Sequence, residues 1–262
     1  MNLLKNWRIR KAEEDNESVY ISEKFGVRSL HIGSDTIQSA MRIAHPNDLE
    51  IVYTRSMMAF LLFNPDPRKV LMVGLGGGSL AKFVYHRLPN AQTVAVEINP
   101  RVVAIARQFF YLPPDDERLQ VVVGDGVTYL ETARSKSDVI ILDGYDAQAQ
   151  VEALSTGVFY RSCARALSDS GVLVVNLWGG DRNFKGCVER IAQAFNRRVA
   201  CLPAGKPGNV VALAFKRSPG MPRWNDLQHR ALGLTDTMGL KFTDFVRDLA
   251  AMNPDDQDGL PI

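Results

Sequence analysis

The chain has 262 residues, 46% of them hydrophobic, and its 31 Lys and Arg against 29 Asp and Glu leave a formal net charge of +2. This composition indicates a globular protein and excludes both a disordered chain and a surface built throughout for nucleic acid. The longest uninterrupted apolar stretch, Met57–Phe63, is too short to span a membrane, and the N-terminus lacks the apolar run of a signal peptide. We therefore expect a cytoplasmic protein without a membrane or nucleic-acid partner.

Neither a disulfide framework nor a metal site is expected from the cysteines and histidines. Cys163, Cys187 and Cys201 are widely separated, and the chain contains no C-x-x-C and no H-E-x-x-H motif. Spacings of these kinds are typical of structural and catalytic zinc sites. The sequence therefore predicts no metal cofactor.

The first part of the chain predicts a small β unit followed by a helix. Residues 18–44 alternate apolar and polar positions, with glycines between the runs, which is typical of two or three antiparallel strands. Asn47, followed three residues later by Glu50, fits a capping box, so a helix is expected to begin there and to run to about Phe63. The predicted parts are a small N-terminal β unit (1–45), an α/β domain (46–217) and a polar C-terminal tail with weak helices (218–262).

From Arg68 onward, short apolar strands alternate with helical segments. The predicted strands are Val70–Val73, Thr93–Val96, Gln120–Val123, Val139–Leu142 and Val172–Leu177. The predicted helices are Ser79–Leu88, Pro100–Phe110, Gly126–Ala133, Phe159–Leu167 and Asn183–Asn196, with weaker ones around Trp224–Leu232 and Phe242–Met252. Because the strands are nearly all apolar, both faces should be covered, as in a doubly wound parallel α/β sheet. Arg198–Leu202 and Asn209–Phe215 predict an antiparallel hairpin at one edge.

In an open parallel sheet, ligands bind beyond the carboxyl ends of the strands, so a site is expected there. The first strand ends in a glycine-rich turn that opens a helix, in which Gly74, Gly76 and Gly78 allow a ligand to approach the backbone closely. The second strand ends in Glu97, about twenty residues further on, where a carboxylate can accept both hydroxyls of a ribose. A tight strand–helix turn that binds nothing is the alternative interpretation of the glycines.

The third and fourth strands also end in carboxylates. Asp125 follows the third strand, where it can accept a hydrogen bond from an adenine amino group, cap the next helix, or do both. Asp143 follows the fourth strand. The glycine turn lacks the G-x-G-x-x-G spacing of a dinucleotide site, and several carboxylates suit a cationic ligand. These features favour an adenosyl sulfonium, such as S-adenosylmethionine or a relative, over NAD.

The segment around the fourth strand is acidic and contains no base. From Ser137 to Tyr160 there is no Lys, Arg or His. Within it, Asp143 and Asp146 form a D-x-x-D pair that can hold an amine and take its proton. Tyr145, between them, is either a wall of the pocket or a surface aromatic. In the alternative interpretation, Asp143 caps a turn and Asp146 is solvated, and neither binds a ligand.

These residues make the chain similar to the polyamine aminopropyltransferase (spermidine synthase) family. The resemblance covers roughly residues 18–216 and is strongest in KVLMVGLGGGSL, TVAVEINP, LQVVVGDGVTYL and SDVIILDGYDAQAQ. It implies a methyltransferase-like, Rossmann-like α/β domain behind a small β domain. It also implies transfer of an aminopropyl group from decarboxylated S-adenosylmethionine to a small-molecule amine, with release of methylthioadenosine. Family members commonly form homodimers, so the resemblance allows one here.

The resemblance also implies roles for individual residues. The nucleoside would be bound by Gln38, Gly74, Gly76, Gly78, Glu97, Asp125 and Gly126. The amine would be bound by Tyr53, Asp143, Tyr145 and Asp146. Glu97 would hold the ribose, Asp125 with Gly126 would hold the adenine, and Asp143 would be the general base.

The sequence departs from the family pattern in the amine half of the site. Gly77 stands where the family usually has an amine-binding Asp, and Thr54-Arg55 replaces a His-Glu pair. Lys206 adds a cation near the last hairpin. Arg55 beside a polyamine channel would repel the usual substrate, so the sequence does not identify the amine.

Three functions stay open on the sequence alone. The first is an aminopropyltransferase-like enzyme that acts on an amine. The second is a methyltransferase that uses S-adenosylmethionine itself, because the same fold and turn serve it. The third is a nucleoside-binding protein without catalysis that works through partners. The retained Asp143 favours the first over the third, whereas the replaced amine-binding residues favour the second or third over a standard spermidine synthase.

Overall fold

The computed structural model of the chain describes residues 18–133, 135–144, 152–205, 208–253 and 259–262. Tyr145, Asp146 and Lys206, which the sequence analysis singled out, lie outside the described residues. The first described strands are β1 Val19–Lys24, β2 Val27–Ile32 and β3 Ile37–Arg42. They form a separate antiparallel sheet in the order β1-β2-β3, the pairing expected from alternating apolar and polar positions.

The second sheet has seven strands and carries the core. Its strands are β4 Lys69–Val73, β5 Gln92–Glu97, β6 Leu119–Val123, β7 Ser137–Leu142, β8 Leu167–Trp178, β9 Val199–Pro203 and β10 Asn209–Phe215. Their order is β6-β5-β4-β7-β8-β10-β9, in which the first five are parallel and the last two pair antiparallel. The doubly wound α/β fold is therefore confirmed, and the winding reverses between β4 and β7.

Helices cover both faces of this sheet. They are α1 Val52–Met57, α2 Ser79–Arg87, α3 Pro100–Phe109, α4 Gly126–Thr132, α5 Gly157–Ala166, α6 Phe184–Ala194, α7 Trp224–Met238 and α8 Phe242–Met252. Alternate residues of β4 enter opposite cores: Val70 and Met72 pack on one side, and Leu71 and Val73 pack on the other. None of the described helices is long and apolar enough to cross a membrane.

The predicted capping box at Asn47 was wrong. Helix α1 begins at Val52, after an extended Ile51 that makes no side-chain capping bond. The Glu50 carboxylate instead accepts hydrogen bonds from the Arg42 guanidinium at 2.6 and 3.2 Å, which ties it back to β3. The helix is also short, because a 3-10 turn, Met58–Leu62, follows it directly.

The boundary between α5 and β8 also differs from the predicted one. Helix α5 ends at Ala166, and β8 starts at Leu167 rather than at Val172. The polar residues before Val172 extend the strand past a register irregularity, in which Ser137 pairs with Leu167 and Val139 with Val172. An apolarity pattern does not detect this extension, since Ser168, Asp169 and Ser170 are polar and the last two are exposed.

The last part of the chain, predicted as a polar tail with weak helices, contributes two helices to the core. Helices α7 and α8 turn apolar side chains into the larger core, where Leu227, Phe242 and Leu249 are fully buried. They contact the 3-10 turn Met58–Leu62, whose residues belong to the same core cluster. Helix α7 also reaches Met238, beyond the predicted end at Leu232. The polar residues that dominate this sequence occupy the outer faces of the two helices.

Candidate active site

A cavity of about 540 Å³ lies at the carboxyl ends of the central strands, beside the point where the winding reverses. Strands β4, β5 and β7 contribute residues at or just beyond their ends, and the start of β3 contributes residues from the small sheet. Of the residues predicted to bind a ligand, those that line the cavity are Gln38, Tyr53, Gly74, Gly76, Glu97, Asp125, Gly126 and Asp143. The topology brings them together because parallel strands end at the same edge of the sheet.

Gly78 does not line the cavity, although the sequence analysis placed it in the nucleoside site. It precedes helix α2 with a φ of +73°, and a Cβ there would lie 2.7 Å from Leu112 Cδ1. Gly78 is therefore needed for the turn and for helix packing. Tyr145 and Asp146, the two other predicted amine-binding residues, belong to the segment outside the described residues.

Gly74 joins the glycine turn to the strand that carries Asp143. Its φ is +93°, a conformation that side chains disfavour, and a Cβ on it would lie 2.3 Å from the Asp143 carbonyl oxygen. Its backbone N–H donates to the Val96 carbonyl at 2.9 Å. The absence of a side chain at Gly74 therefore lets three strand ends converge on one wall of the cavity.

The Glu97 carboxylate is held by the backbone that surrounds it. One oxygen accepts from the Leu75 N–H at 2.9 Å, and the other accepts from the Asn99 N–H at 3.0 Å. These bonds fix the carboxylate at the end of β5, against the glycine turn. Each carboxylate oxygen has two acceptor positions, so Glu97 keeps acceptor capacity for a ligand hydroxyl.

Asp125 caps helix α4, as one of its two interpretations predicted. Its Oδ1 accepts a hydrogen bond from the Thr128 N–H at 2.7 Å, and its backbone is extended as at other helix N-caps. Gly126 then begins the helix close to Val73, where a Cβ would lie 2.5 Å from Val73 Cγ1. The capping bond orients Asp125 at the cavity rim, beside the backbone of Gly126.

Two side chains hold the Asp143 carboxylate in place. Its Oδ1 accepts from the Asn176 amide nitrogen at 2.9 Å, and its Oδ2 accepts from the Tyr53 hydroxyl at 3.1 Å. Burial raises the pKa of Asp143 above its ordinary value, while the bonds from Asn176 and Tyr53 lower it. Since Asp143 also lines the cavity, it can take a proton from a bound molecule.

Sequence reasoning missed five polar or aromatic residues that line the same cavity: Thr36, Asn176, Trp178, Asp181 and Asn209. Asn176 is 2% exposed within the apolar run Val172–Trp178 of β8, and it accepts a hydrogen bond from the Asn209 amide at 2.8 Å. The signal for Asn176 was present, because a lone amide near the end of a buried strand needs a polar partner.

The charges of the cavity are of one sign. Its charged lining side chains are Glu97, Asp125, Asp143 and Asp181, and none of the lining residues within the described ranges is Lys, Arg or His. Acidic walls in a partly closed cavity attract and concentrate cations. The arrangement suits a ligand or substrate that carries positive charge.

Arg55 lies away from this cavity, contrary to the expectation that it would repel an amine. Its guanidinium donates to the backbone carbonyls of Leu49 at 2.6 Å and Glu50 at 2.8 Å, and it is not among the lining residues. Thr54 is likewise turned to the backbone, donating to the Ile51 carbonyl at 2.6 Å. The changed Thr54-Arg55 pair therefore stabilises the start of α1 and leaves the cavity acidic.

Gly77 also faces away from the cavity, toward the small sheet. A Cβ at this position would lie 2.8 Å from both Phe110 Cδ1 and Ser39 Oγ. A carboxylate could not be placed there without moving one of these neighbours. The glycine at this position therefore allows the turn to pack directly against Ser39 of β3 and Phe110.

The doubly wound sheet, with a glycine turn after its first strand, defines a methyltransferase-like α/β protein. Comparison with known proteins specifies this class further. Residues 50–190 match the family model described as the spermine/spermidine synthase domain. The chain belongs to this family.

Relatives with assigned names cover nearly the whole chain. The chain is 46% identical to a polyamine aminopropyltransferase of Chromobacterium violaceum over 94% of both chains. It is 41% identical to a protein of the same name from Neisseria meningitidis, again over 94% of both.

Solved structures agree on the fold. A probable spermidine synthase from Corynebacterium glutamicum matches with a TM-score of 0.70 and 20% identity, covering 86% of this chain and 87% of that one. Human methyltransferase-like protein 13, solved with SAH, matches with a TM-score of 0.66 and 25% identity, covering 72% and 92%.

Proposed function

We propose that this protein is a polyamine aminopropyltransferase, which moves an aminopropyl group from decarboxylated S-adenosylmethionine to an amine and releases methylthioadenosine. Family membership and the names of the relatives support the reaction class. The observation that carries the proposal is Asp143, a carboxylate with a raised pKa that is held by Tyr53 and Asn176 in an acidic cavity.

The nucleoside half of the site would use the predicted residues. Glu97, fixed against the glycine turn, would accept the ribose hydroxyls, and Asp125 with Gly126 would hold the adenine. Gln38 would cover the nucleoside from the small sheet. The cavity residues Glu97, Asp125 and Asp143 would also favour the positive sulfonium, which NAD-type and other anionic ligands lack.

The chemistry needs an amine nitrogen in its neutral form, held in line with the carbon beside the sulfonium. Asp143 would accept the proton of the bound ammonium. The nitrogen lone pair then forms a bond to that carbon while the carbon–sulfur bond breaks. The electron pair of the broken bond stays on the sulfur, which leaves as the neutral thioether of methylthioadenosine. Because the leaving group is neutral, no acid is required, so positioning and a base account for the catalysis. We assign Tyr53 to the amine end beside Asp143 and retain Tyr145 and Asp146 there as predictions.

The test is identification of the products with two donors in parallel. With decarboxylated S-adenosylmethionine and putrescine or another diamine, we expect methylthioadenosine and the aminopropylated amine. With S-adenosylmethionine and the same amines, we expect no S-adenosylhomocysteine.

A methyltransferase is the second candidate, favoured by the likeness to the human methyltransferase-like structure. Formation of S-adenosylhomocysteine without methylthioadenosine would replace the proposal with this activity. A protein that binds methylthioadenosine but yields neither product would be the non-catalytic alternative.

A further inference from the structure

Two amides form a chain of hydrogen bonds that ends on Asp143. The Asn209 amide nitrogen donates to Asn176 Oδ1 at 2.8 Å, and the Asn176 amide nitrogen donates to Asp143 Oδ1 at 2.9 Å. Asn176 is 2% exposed, so its orientation is set by protein groups more than by water. Neither asparagine has a role in the reaction described above.

The sheet topology explains how three distant residues meet. Leu142 of β7 pairs with Val175 of β8, which places Asp143 next to Asn176 at the same edge. Strand β10 runs antiparallel to β8, so its first residue, Asn209, lies at the edge where β8 ends. The hydrogen-bonded chain of Asp143, Asn176 and Asn209 therefore crosses three neighbouring strands, and Asn209 comes from the antiparallel one.

The direction of these bonds is fixed by chemistry. An ionised carboxylate only accepts hydrogen bonds, so the Asn176 amide must present its nitrogen to Asp143 and its oxygen to the other side. That oxygen needs a donor, and Asn209 supplies one. Loss of the Asn209 donor would remove the bond that favours this orientation from the other side. A half turn of the Asn176 amide, which places its oxygen against the carboxylate, would then cost less.

We propose that Asn209 is a positioning residue that, through Asn176, holds a hydrogen-bond donor on the base Asp143. This inference rests on the proposed function, because it assumes that Asp143 accepts the proton of the amine. It concerns a residue outside the nucleoside-binding and amine-binding residues assigned above.

Through its effect on the pKa of Asp143, this chain of hydrogen bonds sets the pH range in which the proposed base can accept a proton. The hydrogen bond from Asn176 lowers the pKa of Asp143 against the opposing effect of burial. Tyr53 is the titratable group in contact with Asp143, and Glu97, Asp125 and Asp181 are the charged groups that share its cavity. All three of those are acids and cannot lower the pKa of Asp143. Among the described residues, therefore, hydrogen bonds are what counteract the rise in pKa caused by burial.

The experiment compares the pH dependence of kcat/KM in wild type, Asn209→Leu, Asn176→Leu and the double variant. We expect Asn209→Leu to move the acidic limb to higher pH by about one unit, the scale of one lost hydrogen bond to a charged group. Asn209→Gln, which keeps an amide, should restore most of the wild-type profile. In the Asn176→Leu background, Asn209→Leu should add no further shift, because the path to Asp143 is already broken.

Asn253→Leu is the matched control. The Asn253 amide binds the backbone of Cys201 at 2.7 and 2.8 Å on the outer strand β9, away from the cavity. The same substitution there is expected to lower stability and leave the acidic limb in place. A shift in Asn253→Leu equal to that in Asn209→Leu would overturn the proposal.

A second measurement separates this inference from the proposed function. Carbon NMR can follow the titration of the Asp143 carboxyl without turnover, and Asn209→Leu should raise its midpoint. An unchanged midpoint, or an equal shift with and without Asn176, overturns the positioning role even in an active enzyme. A raised midpoint in a protein that releases no methylthioadenosine would instead support the hydrogen-bond chain and overturn the proposed reaction.

Discussion

Asp143, the proposed base, shows at the scale of one residue how a requirement of catalysis can oppose stability. A base in a partly enclosed cavity must carry charge where solvation is poor, and burial raises its pKa for that reason. The hydrogen bonds from Asn176 and Tyr53 offset part of the cost. The site thus holds a carboxylate that is unfavourable for folding and suited to accepting a proton.

Asp143→Asn should therefore make the protein more stable at neutral pH. The folded carboxyl binds its proton more tightly than the unfolded one, so the unfolding free energy falls as pH rises from about 4 through the raised pKa. An amide does not titrate, so the variant escapes this fall and should gain about 1 kcal/mol above that pKa. Urea denaturation from pH 4 to pH 8 measures the difference, and equal curves would refute the claim that burial of this charge is costly.

Lys82 is a second buried ionisable group, placed where β3 meets α2. It is fully buried, and its ammonium donates to the carbonyls of Pro46 and Phe110, both at 2.6 Å. Burial lowers the pKa of Lys82 from 10.5 to about 8. Its bonds join the end of the small sheet to helices α2 and α3.

The pH dependence of stability should reveal this lysine. Between about pH 8 and 10.5 the unfolded side chain binds more protons than the folded one, so the unfolding free energy rises with pH across that window. Lys82→Met should lose this rise, and it should be less stable overall because two buried carbonyls lose their donor. Urea titrations of both proteins at pH 7.5 and pH 10 test the prediction, which parallel changes in the two proteins would contradict.

At the scale of elements, the glycine turn depends on Gly74. Gly74→Ala would combine a left-handed φ of +93° with a Cβ 2.3 Å from a backbone oxygen of Asp143. We expect the unfolding free energy to fall by about 1–3 kcal/mol, because the glycine turn must move away from the backbone of Asp143. Nucleoside binding should weaken for the same reason. Denaturation and a thermal-shift titration with methylthioadenosine measure the two effects.

Gly233→Ala is the control for that change. Gly233 lies inside helix α7, where an added Cβ meets nothing within 4 Å. Alanine there should raise stability by about 0.5–1 kcal/mol through its helix preference. Similar losses in both variants would show that the effect at Gly74 is not specific to the turn.

The elements that were predictable share a physical cause. β4, β5 and β7 are buried on both faces, so their apolar runs mark them without reference to the rest of the chain. The start of α1 was not predictable in this way, because Glu50 fits a local capping pattern but pairs with Arg42 of β3. A contact with the neighbouring sheet therefore overrode the local capping pattern.

On the scale of the whole molecule, the C-terminal helices complete the core. Phe242 is fully buried against the core cluster that also holds Met58–Leu62, whereas Leu232 on α7 is 54% exposed. Phe242→Ala should lower the unfolding free energy by about 3–5 kcal/mol, the cost of an emptied aromatic site. Leu232→Ala should change it by less than about 0.5 kcal/mol. Thermal unfolding of both variants distinguishes a core layer from a dispensable tail, for which both changes would be small.

The site was predictable to the extent that it follows chain order. Glu97, Asp125 and Asp143 each lie at or just beyond the end of a parallel strand. Because the ends of parallel strands meet at one edge, sequence alone brings them together. Asn209 begins an antiparallel strand, and its place beside Asn176 depends on how β10 pairs with β8. That pairing is set by the assembled sheet, which is why the hydrogen bonds behind the base were found only in the structure.

The measurement that tests the account most directly is methylthioadenosine release by Asp143→Asn with decarboxylated S-adenosylmethionine and a diamine. The account predicts a rate loss of about 10²–10⁴-fold, the usual contribution of a general base, with methylthioadenosine binding retained in a thermal-shift titration. Asp169→Asn, an exposed carboxylate paired with Arg217, should keep the wild-type rate. Equal rates in Asp143→Asn and wild type would contradict the central claim that Asp143 takes the proton of the amine.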